Sequence, residues 1–321
     1  MKIIFFGTPE IAAQFLREII KTENVAAVVT QPDKPAGRGR QVLFTKVKSV
    51  AVENNIPVFQ PAKFDAGVIN SLSDLKADVG VVISYGKLIP KQVFTLPALG
   101  CFNIHFSLLP KYRGAAPIQT ALINGEPETG VSTFWLEETL DTGPVIVEKH
   151  APINPQDDAI TLEDKLVTLG FEALFETFSK IASGACAGTA QKGTPSFAPS
   201  LTKESGKIAW EKSAREIVNL ARGTRKWPGA WTKFFTGSQS GKTIKILKAR
   251  ALDSCPGELI PVKEPGTICG LIKNDSFVVA CGSGFLAVEE VVAEGKKPMP
   301  AWAYWQGSRL KVGDKFDIMQ A

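Results

Sequence analysis

Apolar residues run unbroken from Ile3 to Phe6 and stop at Gly7-Thr8-Pro9, a short β-type run closed by a turn. Pro9 suits the first turn of a helix reaching Ile20, with Ile11, Phe15, Ile19 and Ile20 on one face. Val25–Thr30, Val79–Ser84, Cys101–Phe106, Val131–Leu136 and Val145–Glu148 read as further strands. From Thr161 to Ile181 the spacing of Leu162, Leu166, Leu169 and Ala173 is helical. Strands separated by helical patterns predict a doubly wound, mostly parallel α/β sheet, in which ligands gather at the carboxyl ends of the strands.

Periodicity is lost between Gly184 and Gly206, where Gly, Thr, Ser, Ala and Pro dominate; this stretch reads as a linker between domains at 1–183 and 207–321. Beyond it, Ser213 and Glu216 form a capping box ahead of Ile217, Val218 and Leu220, which predicts a short helix. Short β-type runs follow at 230–236, 242–250, 266–273, 275–281, 284–292 and 310–317, punctuated by Gly, Pro, Asn and Asp. That pattern predicts a second, smaller domain built as an OB-like β-barrel, an architecture that commonly binds nucleic acid.

At 321 residues and 44% hydrophobic the composition is that of an ordinary globular chain, and no apolar run approaches the ~20 residues of a membrane span. The initial apolar run is too short for a signal-peptide core, so a cytoplasmic location is expected. Five cysteines without a C-x-x-C pair argue against a zinc ribbon or redox motif, and two histidines are too few for a multi-histidine metal site, so no metal is expected. Charge changes the picture more. Residues 1–202 carry a net −2 and residues 203–321 a net +7, which suggests catalysis in the first part and polyanion binding in the second.

Candidate chemistry concentrates at Asn103-Ile104-His105-Phe106-Ser107-Leu108-Leu109-Pro110 and at Asp141 in Leu140-Asp141-Thr142-Gly143. Residues i and i+2 of a strand share a face, so Asn103 and His105 project together. An amide donor beside an imidazole suits a carbonyl oxygen that gains negative charge, and a loop carboxylate can orient the imidazole or take a proton. The same spacing also fits strand-end residues making structural hydrogen bonds. G-x-S-x-G is absent, so attack by one substrate on another fits better than a covalent enzyme intermediate. Gly7-Thr8-Pro9 lacks the G-x-G-x-x-G pattern, which disfavours nicotinamide binding. His150 belongs to no motif and reads as a surface or packing residue. Trp227, Trp231, Trp302 and Trp305 could stack bases, but in a small barrel they fit core positions as well.

Asn103-x-His105-x-Ser107-Leu108-Leu109-Pro110 followed by Tyr112-Arg113-Gly114-Ala115-Ala116-Pro117-Ile118-Gln119 resembles the signature of the folate-dependent formyltransferases, and within them the branch acting on methionyl-tRNA. Phe6-Gly7-Thr8-Pro9, the segment Thr30 to Gly39, Tyr85-Gly86-x-x-x-Pro90, Glu128-Thr129-Gly130-Val131, Trp227-Pro228 and Gly295-Lys296-Lys297-x-Met299 extend the likeness along nearly the whole chain. One departure is Phe106, where the family usually carries a small residue.

The resemblance implies 10-formyltetrahydrofolate as co-substrate and the α-amine of methionyl initiator tRNA as acceptor, in a formyltransferase-like fold acting as a monomer without membrane or DNA contact. It implies Asn103, His105 and Asp141 as catalytic residues. Ser107, Leu108, Leu109, Pro110, Tyr85 and Gly86 would shape the folate pocket, with the loops Tyr85–Ile89 and before Asp141 closing on the pterin. Lys34, Arg38 and Arg40, in a long segment from Gln31 to Thr45 read as irregular loop, would reach the tRNA. Two alternatives stay open: a relative acting on a small amine, and a non-catalytic RNA-binding protein.

Overall fold

The computed structural model describes residues 1–36, 41–234, 241–256, 259, 264–308 and 310–317. They form two compact units, Met1–Pro117 with Glu128–Pro152 and Asp164–Pro199, and Ile118–Pro127 with Ile153–Glu163 and Ser200–Ala321.

In chain order the first elements are β1 (Lys2–Gly7), α1 (Glu10–Ile19), β2 (Asn24–Val29), β3 (Lys34–Ala36), β4 (Gln41–Leu43), α2 (Lys46–Glu53), β5 (Val58–Phe59), α3 (Ala66–Asp74), β6 (Val79–Ile83), α4 (Lys91–Phe94) and β7 (Cys101–His105). Then come β8 (Arg113–Gly114), α5 (Pro117–Ile123), β9 (Glu128–Trp135), β10 (Val145–Pro152), α6 (Ala159–Ala182) and β11 (Phe197–Ala198). The first unit is organised by a seven-stranded sheet of order β10-β9-β7-β6-β1-β2-β5. The five strands from β7 to β5 run parallel, whereas β9 and β10 pair antiparallel.

The parallel strands are buried on both faces, which is why Ile3–Phe6 and Val79–Ile83 read as continuous apolar runs rather than alternating ones. On one face Phe15 of α1 packs against Phe106 and Phe171, and Phe178 of α6 meets Phe102 edge-on. Phe106 therefore points into this apolar layer, on the side opposite the imidazole of His105, the residue before it. On the other face Ile4, Phe6, Val82 and Tyr85 pack with Leu72, Val93 and Phe94.

Three sequence expectations change here. Pro9 caps α1 from outside in an extended conformation instead of opening its first turn. The segment Gln31 to Thr45, read as irregular loop, contains the β3–β4 hairpin, with Lys34 opposite Leu43 and Ala36 opposite Gln41. Part of the stretch read as a linker belongs to the first unit: β11 pairs in parallel with β8, and Thr189 exchanges backbone hydrogen bonds with Val145.

The second unit contains α7 (Ala214–Thr224), β12 (Ala230–Phe234), β13 (Lys242–Leu252), β14 (Ile268–Ile272), β15 (Ser276–Ala280), β16 (Phe285–Ala293), β17 (Met299–Pro300) and α8 (Ala301–Gly307). The capping box forms as the sequence requires: Ser213 Oγ accepts from Glu216 N–H while the Glu216 carboxylate accepts from Ser213 N–H. The antiparallel strands run in the order β12-β13-β16-β15-β14, with β17 beside β16. Instead of a strand at 310–317, bridges place Phe316 against Phe234 and Lys315 against Thr267, so one short segment touches both β12 and the approach to β14. Trp210, fully buried, stacks on Phe316 at 5.3 Å and sits in the core of this unit. Trp231 is buried and Trp305 packs on the core from α8, whereas Trp227 is exposed.

Candidate active site

β7 lies between β6 and β9, with Asn103 beside Val82 on one side and Phe134 on the other. Its pleat sends Phe102 and Ile104 into the core and leaves Asn103 and His105 on the opposite face. His105 is 5% exposed and packs edge-on to Phe134. Its Nε2 lies 2.9 Å from the Tyr112 carbonyl oxygen. A carbonyl only accepts, so Nε2 carries a proton, and in the neutral ring Nδ1 is then the basic nitrogen. Nδ1 lies 3.8 Å from Asp141 Oδ2, beyond hydrogen-bond range but close enough for a positive imidazole and the carboxylate to attract.

Asp141 is 8% exposed and adopts φ +54°, a left-handed conformation uncommon outside glycine. Its Oδ2 accepts the Gly114 N–H at 2.7 Å, and its carbonyl accepts from Gln191 Nε2 at 2.9 Å. Ser84 (φ +46°) and Tyr112 (φ +60°) are also left-handed and sit in the loops that follow β6 and β7. Such residues cluster where surrounding structure holds a site in shape.

Asn103 and Asp141 face a cavity of about 670 Å³. Its walls come from residues 61–64, from 87–92 and α4, and from 136–141, with Val82 and Phe134 beneath. The volume falls within the range of small-molecule sites. Leu88 and Leu140, at 75% and 49% exposure, leave apolar surface open on these walls, which a bound ligand would cover. Asn103 Oδ1 is buried with no hydrogen-bond partner among the described residues. A half-turn about Cβ–Cγ would exchange that oxygen for the amide N–H groups.

The other sequence candidates divide. Lys87, Leu88 and Ile89 line the cavity, but Tyr85 and Gly86 do not. Tyr85 is buried edge-on to Phe6, its carbonyl accepts from Thr8 Oγ1 and Gln31 Nε2, and burial pushes its phenol up to about 12. Gly86 turns the chain at φ +83°. Ser107 to Pro110 are not on this cavity either. Ser107 Oγ donates to the Lys111 carbonyl, and Leu108, Leu109 and Pro110 line a separate cleft of about 260 Å³ with Glu128, Glu148 and Lys192. The reason is local: Ser132 Oγ donates to the Ser107 carbonyl and accepts the Leu109 N–H, which draws this loop onto β9.

Lys34 is exposed on the hairpin, while Arg38 and Arg40 lie outside the described residues. His150 is exposed beside Glu148 on β10. Sequence reasoning missed Phe64, Phe94, Leu136 and Gln191; the first three are single apolar residues at element ends and the last lies in a stretch without periodicity. No group of three or more His, Cys, Asp or Glu is gathered into a metal-binding cluster among the described residues.

A strand-end amide and imidazole, a carboxylate at 3.8 Å and a ligand-sized cavity beside them suit the transfer of a carbonyl-bearing group between two substrates. Comparison with known proteins makes this specific. Residues 1–178 match the formyl transferase family model, and residues 200–309 match that of the formyl transferase C-terminal domain. The chain is 44% identical over 316 residues to the methionyl-tRNA formyltransferase of Endomicrobium trichonymphae, covering 98% of this chain and 100% of that one. It is 41% identical over 315 residues to that of Thermodesulfovibrio yellowstonii, covering 97% of each. The chain belongs to the methionyl-tRNA formyltransferase family and is a transferase. Its fold is shared with an N-formyltransferase of Helicobacter canadensis solved with folinic acid and dTDP-3-aminofucose, at a TM-score of 0.63 and 21% identity over 90% of this chain and 99% of that one.

Proposed function

We propose that this enzyme transfers the formyl group of 10-formyltetrahydrofolate to the α-amine of methionyl initiator tRNA. The observation that carries the reading is the convergence of Asn103, His105 and Asp141, the first and last on the wall of the 670 Å³ cavity. The apolar walls at Leu88, Ile89, Leu136 and Leu140 suit a flat heterocycle, and the polar end at Asn103 and Asp141 suits a formyl group. Asn103 presents its amide N–H to the formyl oxygen as that oxygen gains charge, and His105, once Nδ1 is protonated, supports the same charge from the adjacent position on the strand face. Asp141 takes the proton that the amine sheds as its nitrogen bonds to the formyl carbon. Asp141 then passes that proton to His105 Nδ1, which delivers it to the nitrogen from which the formyl carbon departs. An α-amine has an ordinary pKa near ~8 and is partly neutral at physiological pH, so the barrier to lower is mainly oxyanion formation and proton transfer.

The acceptor follows from charge and from the second unit. The net +7 of residues 203–321 favours a polyanion, and the relatives that match nearly the full length are named for methionyl-tRNA. We read residues 1–183, together with the part of 184–206 that packs on them, as the catalytic domain and 207–321 as a tRNA-binding domain built as an OB-like barrel. The bridges of Phe316 to Phe234 and Lys315 to Thr267 support closure of its sheet. Lys34, Arg38 and Arg40 meet the acceptor end of the tRNA. The enzyme works as a cytoplasmic monomer without DNA or membrane.

The test is formyl incorporation from 10-formyltetrahydrofolate with methionylated initiator tRNA, free methionine or an amino-sugar nucleotide as acceptor. Incorporation into the charged tRNA that weakens steeply as salt rises is expected, because neutralised phosphates release counterions. Preference for either small amine would overturn the reading.

A further inference from the structure

We propose that Gln191 is a positioning residue for formyl transfer: with Arg113 it forms a strut that holds Asp141 in its left-handed turn with the carboxylate toward His105. The inference rests on the reading of Asp141 as the proton acceptor. Gln191 Nε2 donates to the carbonyls of both Asp141 and Gly143, each at 2.9 Å, and so brackets the turn that carries the carboxylate. Its Oε1 accepts from Arg113 Nη2 at 2.6 Å. A guanidinium only donates and backbone carbonyls only accept, so the amide satisfies all three partners in one orientation alone.

The other end of the strut returns to the same place. Arg113 precedes Gly114, whose N–H holds Asp141 Oδ2 at 2.7 Å, and both residues form β8. One strand thus grips the carboxylate directly and the turn's backbone through Gln191. Residues 186–198 are sewn down around this point: Trp135 Nε1 donates to the Cys186 carbonyl at 2.6 Å, Thr189 pairs with Val145, and Phe197 and Ala198 pair with Arg113 and Gly114. The turn is also closely packed, because a Cβ on Gly143 would fall 1.8 Å from the Trp135 carbonyl oxygen. Asp141 occupies a conformation that a non-glycine residue keeps only when its surroundings impose it. Removing the bracketing donor takes away both hydrogen bonds that Gln191 makes to the turn's backbone.

The experiment compares wild type, Q191A, Q191E, D141N and the Q191A/D141N double variant, measuring kcat and both KM values with 10-formyltetrahydrofolate and methionylated initiator tRNA. Circular dichroism and thermal melting accompany each. Q191A is expected to lower kcat by about 10- to 100-fold, the loss typical of a catalytic group displaced by an ångström, with both KM values within about twofold. Q191E keeps the size and the acceptor for Arg113 but removes the donor to the two carbonyls, and should lose as much; it carries the test if Q191A unfolds. The double variant should be no slower than D141N alone, because the strut acts only through that carboxylate. Full turnover of Q191A or Q191E beside an inactive D141N would overturn the strut while leaving the role of Asp141 intact. Losses that add in the double variant would also overturn it, by showing a general structural role. An active D141N would remove the reading of Asp141 and the strut together.

Discussion

Replacing Asn103 by alanine separates two reasons for a polar side chain at the end of a strand. If the amide were there to hold the fold, its atoms would be paired, but Oδ1 is buried without a partner among the described residues. An unsatisfied buried acceptor costs about 1–3 kcal/mol, and truncation removes that cost. The void left behind opens onto the 670 Å³ cavity instead of being enclosed, so the penalty that normally follows a deletion in a packed core is small. The net effect on stability is between zero and a gain of about 1 kcal/mol, or at most ~2–4 °C in the melting of the first unit. Catalysis should move the other way. Loss of an oxyanion donor typically lowers kcat by about 10²–10³-fold, equivalent to about 2.7–4 kcal/mol. Folate affinity should change by less than about threefold, since the contact strengthens only as charge develops. N103D, which keeps the shape and loses both donors, should match the rate loss. Melting curves, folate titration and single-turnover formylation of charged tRNA measure all three quantities. A variant that melts early and still turns over normally would refute the argument, because it would make Asn103 a structural group with no part in the chemistry.

Other expectations follow from particular contacts. G143A should destabilise the first unit by about 1–3 kcal/mol in urea titrations and lower kcat as well, since the added Cβ meets backbone at 1.8 Å in the turn that carries Asp141. Y85F removes a buried hydroxyl that has no partner among the described residues, so stability should hold or rise by about 1 kcal/mol. With the Tyr85 phenol pushed up to about 12 by burial, the pH–rate profile of Y85F should match wild type between pH 6 and 9 as measured by initial rates. Burial opposes the charge on Asp33, but hydrogen bonds from Lys48 and Gln60 outweigh it and hold the carboxyl below its ordinary value. Its contribution to stability is therefore present above the unfolded carboxylate pKa of ~3.9 and lost as pH falls through the lower folded value. Urea titrations should show wild type more stable than D33N at pH 7 and the gap narrowing below pH ~4; a gap that stays constant would show that the Asp33 charge is not involved.

How much could be read in advance depended on range. The strands around Phe5, Val81 and Phe102, the long helix through Leu166 and the capping box at Ser213 were legible because each is encoded by neighbours a few residues apart. The pair Asn103 and His105 was legible for the same reason, since two-residue spacing on a strand is enough to place both side chains on one face. Asp141 was found by its motif, although periodicity says nothing about a residue in a loop. The β3–β4 hairpin was hidden because three-residue strands are too short to establish alternation.

The amino-acid sequence by itself determined the main strands of the first sheet, its long helix, the family resemblance and the candidate chemical groups, because local burial patterns and residue types are properties of short stretches. Only the tertiary structure decided which residues share a cavity: residues 61–64, 87–92 and 136–141 enclose one with Asn103 while Ser107 to Pro110 turn onto another cleft. It also decided that Gln191, in a stretch with no pattern of its own, ends 2.9 Å from the backbone of Asp141. Hydrogen bonds between residues 50 and 78 positions apart, such as those of Gln191 to Asp141 and Arg113, depend on how the sheet stacks its loops, and no local spacing records that.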